Sequence, residues 1–272
     1  MSRVHDYSTE LEFALKAARL GGRIALSHFG RDPRREQKAD GTFVTEADWA
    51  VEAQIRLRIA RTFPDHNILG EEEGLTAAGG GPPNPNSPTW VVDPIDGTNN
   101  YIDGIPIWGT LIGLRIDERS VVGVCHAPAL AETYDAALGL GARLNGSSIT
   151  VDLIERLEDA VFLYGGAEHL HASGWSGFFD EIVGRVRRTR GLGDFWGHVL
   201  VARGAAHVMV EPLLKPWDVV ALQPIIEEAG GRLTRANGGV WTEGGSCLTT
   251  CGTLHDEVVS LVRKTVPDWV EL

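Results

Sequence analysis

Trp90-Val-Val-Asp93-Pro-Ile-Asp96-Gly-Thr98 is an apolar run that ends in two carboxylates three residues apart, followed at once by a glycine and a hydroxyl. Residues 90–92 have the length and β-branching of a buried strand, and Pro94 and Gly97 are placed to stop it. Asp93 and Asp96 are therefore expected where a strand gives way to a turn. Asp-Pro and Asp-Gly are both ordinary turn dipeptides, and either one alone needs no chemistry. Here both acids crowd one turn, and a site of that kind at neutral pH holds a proton or a cation. Hard oxygen ligands favour Mg²⁺ over Zn²⁺. Gly97 and Thr98 add a bare backbone N–H and a hydroxyl where a phosphate can lie.

Outward from this stretch, Leu11, Leu15, Ala18, Gly22, Ala25 and Phe29 recur at close to helical spacing, which predicts a helix from Ser8 to near Gly30, with Pro33 beyond. A second helix is predicted over 47–62, where Val51, Ile55 and Ile59 share a face and Pro64 follows. Residues 75–88, rich in Gly, Pro and Asn, read as a mobile loop beside Glu71 to Glu73. Strands are predicted over 111–116, 121–126 and 133–137. A change of pattern at 151–159 marks a boundary between an N-terminal unit, 1–150, and a smaller C-terminal one, 151–272. The latter is expected to hold strands at 160–164, near 186–190 and at 206–210, and helices at 176–184 and about 195–203. A long helix is expected after Trp217-Asp218, with Leu222, Ile225, Ile226 and Ala229 on its face, a bend at Pro224 and an end at Gly230-Gly231.

The 272 residues, 43% hydrophobic and 23% charged, suffice for one large domain or two modest ones. A formal net charge of -12 excludes nucleic acid as a main partner, since no basic run offsets it. The segment Arg185-Val-Arg-Arg-Thr-Arg190 reads as one solvated face. An acidic enzyme that takes an anionic phosphate needs metal to offset the repulsion. No stretch approaches the roughly 18–20 apolar residues of a membrane span, and residues 1–10 lack the apolar core of a signal peptide. Cys125, Cys247 and Cys251 give no disulfide framework and no completed metal set, and read as buried thiols of a protein in a reducing cytosol. The histidines form no ligand pattern; His169 and His171 stand two apart in what reads as a loop.

Four separated segments each bring an acid to the end of an expected element: Asp48, Glu71, the pair Asp93 and Asp96, and Asp218. Each has a plainer reading. Thr45-x-x-Asp48 satisfies a capping box, Glu71 belongs to a Glu run that by default is a solvated face, and Asp218 suits a helix N-terminus. The case for chemistry rests on the joint pattern, which resembles the inositol monophosphatase superfamily of Mg²⁺-dependent, Li⁺-sensitive phosphatases over nearly the whole chain. Ile68-Leu-Gly-Glu71-Glu is similar to that family's first acidic signature and residues 90–98 to its central one. Pro216-Trp-Asp218 through Glu228-Ala-Gly-Gly231 is similar to its C-terminal signature.

The resemblance implies a layered α/β/α/β/α sandwich: an N-terminal antiparallel sheet with paired helices, then a smaller mixed sheet with its own helices, and the active site between. It implies that Glu71, Asp93 and the backbone carbonyl of Ile95 bind one Mg²⁺, that Asp93, Asp96 and Asp218 bind a second, and that Glu71 holds a weaker third. Two metals bridging a phosphate can activate a water and neutralise the leaving oxygen of an in-line displacement. Asp48 and Thr98 would orient that water, Glu71 would accept its proton, and the N–H groups of Gly97 and Thr98 would cradle the phosphate. Lys38 matches a family lysine and takes a supporting electrostatic role. Lithium inhibition and a homodimer are also implied.

The leaving group is expected to be chosen in the C-terminal part. Gly193-Asp194-Phe-Trp-Gly-His198 and Glu211-Pro-Leu-Leu-Lys215-Pro-Trp-Asp218 are more similar to the histidinol-phosphate phosphatases of histidine biosynthesis than to inositol phosphatases, which carry small residues where this chain has Asp194. Histidinol brings an amine and an imidazole, with which Asp194 and Glu211 would pair, and Asn99 is a further expected substrate contact. Glu211 also matches a position that binds sugar hydroxyls in inositol phosphatases, and Asp194 alternatively caps the helix after Gly193. The resemblance thus favours L-histidinol phosphate, with inositol monophosphate second and nucleotide 3′-phosphates or fructose 1,6-bisphosphate behind. A non-catalytic regulatory binding protein, the reading from another class, has no need to keep Glu71, Asp93, Asp96, Asp218 and Thr98 together.

Overall fold

A computed structural model describes residues 6–31, 34–39 and 41–267; Pro33, expected beyond the first helix, lies outside the described residues. Helix α1 (Ser8–His28) forms on the predicted apolar spacing and buries Leu11, Ala14, Ala18 and Ala25. The short strands β1 (Arg35–Gln37) and β2 (Phe43–Thr45) pair as an antiparallel ribbon. Helix α2 (Glu46–Thr62) starts on the expected capping box of Thr45 and Asp48.

The chain then passes through β3 (Asn67–Gly70), β4 (Gly74–Ala77), β5 (Thr89–Asp96), helix α3 (Thr98–Ile102), β6 (Gly109–Ile116), β7 (Arg119–Ala127), β8 (Glu132–Ala137), β9 (Gly141–Leu144) and β10 (Ser147–Ser148). These strands form an eight-stranded sheet in the order β10-β9-β8-β7-β6-β5-β3-β4. Every pairing in it is antiparallel except β3 with β5, which is parallel.

The rest of the chain gives β11 (Val161–Tyr164), α4 (Ala167–Ala172), α5 (Ser176–Val183), β12 (Arg188–Gly191), α6 (Asp194–Ala202), β13 (Val208–Leu214), α7 (Pro216–Val219), α8 (Leu222–Glu228), β14 (Arg232–Thr234), β15 (Gly245–Thr250) and α9 (His255–Thr265). Its five-stranded sheet has the order β12-β11-β13-β15-β14. Strand β11 runs parallel to both neighbours, and the remaining pairs are antiparallel.

Three apolar layers hold these elements in an α/β/α/β/α sandwich. On one side of the large sheet, Val51, Ile55 and Ile59 of α2 meet Trp90, Val92, Ile112 and Val124. Between the sheets, Leu111, Cys125 and Tyr134 meet Phe195 and Val199 of α6 and Leu222, Ile225 and Ile226 of α8. Beyond the small sheet, Phe162, Val208 and Leu248 meet Phe178 and Ile182 of α5 and Val258 and Val262 of α9. Each such fully buried aliphatic or aromatic side chain contributes about 1.5–3 kcal/mol of transfer free energy. Successive residues Leu111 and Ile112 point into different layers, so both faces of β6 are dry and its sequence is a nearly unbroken apolar run.

Several expectations are corrected. Strand β5 does not stop at Pro94 but runs to Asp96, with a register shift against β6 between Asp93 and Asp96. Proline is tolerated at such a bulge because no ladder N–H is required there, and its carbonyl accepts from the Thr110 hydroxyl at 2.9 Å. Residues 75–88 begin as β4, and the loop after it is pinned by reciprocal bonds between Asn67 and Asn84 (2.7 and 3.0 Å). The long helix after Trp217 is two, interrupted at Val220 and Ala221. Pro224 lacks the N–H that would reach the Val220 carbonyl, so the ladder breaks there rather than bending at the proline. Strand β13 continues to Leu214 instead of ending at 210, and His169 and His171 lie on helix α4, not in a loop. Among the described residues, no helix is long and apolar enough to cross a membrane, and the three cysteines are free and buried.

Candidate active site

The bulge in β5 delivers Asp93 and Asp96, and the first turn of α7 delivers Asp218. One carboxylate oxygen from each lies within 4.8 Å of the others. Asp93 is 2% exposed, and its Oδ1 has no hydrogen-bond partner among the described residues. Burial pushes the Asp93 carboxyl well above its ordinary range, and the charges of Glu71, Asp96, Asp218 and Asp48 push it further. Asp96 is raised by burial and by Asp194 and Asp218, although the Phe195 N–H donates to its Oδ1 at 3.3 Å. Asp218 is raised by burial to about 8, against the opposing bond from the Lys215 N–H (2.7 Å). Three crowded carboxylates, two buried and that of Asp218 half-buried, with an orphaned oxygen among them fit a hard cation, which would replace the missing hydration and cancel the repulsion.

Glu71 follows β3 and is not a solvated face. Lys38, at the end of β1, donates to Glu71 Oε1 at 2.8 Å and to Glu72 Oε1 at 2.7 Å. Burial alone would lower the Lys38 ammonium, but these two bonds outweigh it and hold its pKa above the ordinary value. The turn that carries Glu71 is itself clamped from α2. Buried Glu52 accepts from the N–H groups of Glu72 (2.9 Å) and Glu73 (3.0 Å) and from Arg56 Nε (2.8 Å). Arg56 in turn donates to the Gly74 carbonyl at 2.6 Å and the Thr76 hydroxyl at 3.0 Å. Asp48 does cap α2: its Oδ2 accepts from the Thr45 N–H (2.9 Å) and hydroxyl (2.6 Å). Its other oxygen is buried without a partner among the described residues, and burial raises the group to about 7.

At Gly97 the backbone turns left-handed, with φ +83°, to start α3; a Cβ there would stand 2.9 Å from the Ile107 carbonyl oxygen and 3.3 Å from Asp194 Oδ2. The Thr98 hydroxyl donates back to the Ile95 carbonyl at 3.0 Å. Gly97→Ala is therefore expected to destabilise the protein by about 2 kcal/mol through a left-handed alanine and the contact with Ile107. Urea unfolding with an unchanged midpoint would contradict this account of the turn.

A cavity of about 230 Å³ opens on Glu71, Asp93, Asp96 and Asp218, and residues 95–99, Asp194 and Glu211 also line it. Asp194 is not the helix cap; Gly193 holds that position and Asp194 is the first helical residue. It sits at φ +55°, strained for a residue with a side chain. The Asn100 amide, tied also to the Ile107 carbonyl at 3.0 Å, fixes its Oδ2 at 2.9 Å. Burial, with the Glu211 charge beside it, raises Asp194 to about 7. Lys38 and Asp48 stand outside the lining and act on it through Glu71 and through charge.

Two histidines in this cavity carried no legible ligand pattern. His198 lines it while bonded to Glu211 and Thr249, and His169 reaches it from α4. The signal for His198 was its place one helical turn after Asp194. For His169, the sequence holds no comparable sign.

An acidic, cation-ready cluster, with the Gly97-Thr98 turn and a second pair of acids lining the same cavity, fits a phosphoric monoester hydrolase. The model of the inositol monophosphatase family matches residues 6–266, and the chain belongs to that family. It is similar to the histidinol-phosphatase of Mycobacterium tuberculosis, with 38% identity over 94% of this chain and 97% of that protein. A fructose-1,6-bisphosphatase/inositol-1-monophosphatase of Aquifex aeolicus is 35% identical over 93% of this chain and 95% of its own length. The solved IMPase of Thermotoga maritima has a TM-score of 0.83 at 32% identity, covering 94% of this chain and 97% of that one.

Proposed function

We propose that the chain hydrolyses L-histidinol phosphate to L-histidinol with Mg²⁺ as its metal. The observation that carries this reading is the pair of acids, Asp194 and Glu211, in the same cavity as the Asp93, Asp96 and Asp218 cluster. A phosphate needs cations beside it, and two further acids in the same cavity call for a leaving group that is itself cationic. The similarity to proteins named histidinol-phosphatase supports the same choice. In this reading, residues 1–150 carry most of the metal-binding acids and residues 151–272 the leaving-group acids.

Asp93, Asp96 and Asp218, with Glu71 and the Ile95 carbonyl, would hold two or three Mg²⁺ ions. Bound there, Mg²⁺ supplies positive charge against the phosphate and lowers the pKa of a bound water. The chain's own groups do the rest. Gly97 and Thr98 offer N–H groups to the phosphate oxygens, Asp48 and Thr98 orient the attacking water, and Glu71 takes its proton while Lys38 keeps that carboxylate in place. Asp194, Glu211 and Asn99 bind the leaving alcohol.

A phosphate-release screen over histidinol phosphate, inositol phosphates and nucleotides tests the substrate, and Asp194→Ala tests the residue. The variant is expected to lose about a hundredfold in kcat/KM on histidinol phosphate while keeping an aryl phosphate within about threefold. Equal losses on both would sink the specificity claim. Inositol monophosphate is the second reading, because the open oxygen of Glu211 can accept from a hydroxyl as it does from an ammonium. A neutral polyol, however, leaves half-buried Asp194 without a counter-charge.

A further inference from the structure

Helix α6 places His198 one turn after Asp194, on the same face. The ring is fully buried beside the adjacent strands β13 and β15 of the small sheet. Its Nε2 lies 3.0 Å from Glu211 Oε2 on β13, and its Nδ1 lies 2.8 Å from the Thr249 hydroxyl on β15. An ionised carboxylate only accepts, so Nε2 carries the proton, and in the neutral ring Nδ1 accepts from Thr249. The other Glu211 oxygen is packed against bare backbone: a Cβ on Gly165 would stand 2.7 Å from Oε1, and one on Gly193 3.6 Å. Among the described residues, no donor reaches Oε1, and Glu211 lines the cavity.

We infer that His198 is a positioning residue for substrate selection: anchored on Thr249, it holds one Glu211 oxygen so that the other is presented to the leaving group of the phosphate ester. The inference rests on the cationic-leaving-group reading above and supplies what keeps its Glu211 half in place. Without the imidazole, the Asp194 and Glu211 charges drive the longer side chain out of the cavity. A free glutamate must also give up rotamer freedom at every binding event. With the imidazole, that freedom is already gone before the substrate arrives. The same helix donates the Phe195 N–H to Asp96, so the leaving-group wall and the acidic cluster share one rigid element.

The test is a comparison of KM and kcat for histidinol phosphate and p-nitrophenyl phosphate in wild type, His198→Leu, His198→Gln and Thr249→Val. Leucine fills the space but gives Glu211 no donor, and KM for histidinol phosphate is expected to rise about ten- to a hundredfold with kcat and the aryl phosphate nearly unchanged. Glutamine, whose amide N–H stands where Nε2 did, is expected to restore most of the affinity. Thr249→Val, the milder change should leucine not fold, is expected to raise the same KM by about threefold to tenfold. If the wild type instead prefers an inositol phosphate and His198→Leu raises that KM selectively, the histidinol reading fails while the positioning role stands. An equal rise on both substrates, a loss in kcat alone, or no recovery with glutamine would overturn the positioning role itself.

Discussion

Asp93→Asn is expected to cut phosphate release by about a thousandfold or more, and at the same time to make the metal-free protein more stable. Both effects follow from one arrangement. Asp93 is 2% exposed, its Oδ1 has no partner among the described residues, and four other carboxylates act on it. Such a group is tolerated in a fold only where something else benefits. Asparagine has the same shape, no charge and an amide that can donate to Asp96 or Asp218. Removing the repulsion and the orphaned oxygen is worth about 1–3 kcal/mol, or roughly 2–4 °C per kcal/mol in a chain of this size. Thermal melts in EDTA at slightly alkaline pH and phosphate release in Mg²⁺ read the two effects separately. A lower melting temperature in EDTA would make Asp93 a structural acceptor. Unchanged release would remove it from the site.

The divided outcome for the sequence follows from the range over which each interaction acts. Sheets buried on both faces leave long apolar runs, so β5, β6 and β7 were visible, as were the helices whose apolar spacing is local. Strand β3, only four residues long and parallel to β5, had no such run. The acids of the candidate site stand in four distant segments and could be named, but the spacing held no distances. It could not show that Glu71 is tied to a lysine 33 positions earlier or that its turn hangs from Glu52. The left-handed backbone of Asp194 goes against ordinary preference, and the partner of its side chain, Asn100, stands 94 positions earlier. His198 stands in a stretch that the sequence singles out, but its role was not legible because both its partners come from strands that are adjacent only in the folded sheet.

The same carboxylates predict an unusual dependence of stability on pH. Asp48, Glu72 and Asp194 are raised by burial to about 7 and Asp218 to about 8, whereas the unfolded chain ionises its acids near pH 4. Above pH 5 the folded state therefore binds more protons than the unfolded one, and stability must fall as pH rises through the folded values. His126 and His255 act in the opposite sense. Burial holds both rings neutral down to about 4, so they weaken the fold only as pH drops below the ordinary histidine range. Between pH 6.5 and 8.5 the opposite contribution of these histidines fades as their unfolded rings lose the proton, and the carboxyls outweigh it. One pKa unit corresponds to about 1.4 kcal/mol, so deprotonating two of these groups by about one unit each is expected to lower the melting temperature in EDTA by roughly 6–11 °C. Millimolar Mg²⁺ binds the ionised cluster and opposes that loss, more strongly the higher the pH, so the two melting curves should diverge across the interval. A melting temperature in EDTA that is flat or rising from pH 6.5 to 8.5 would mean that these acids are not held protonated by burial. Curves that fall in parallel with and without Mg²⁺ would mean that the cluster does not receive the cation.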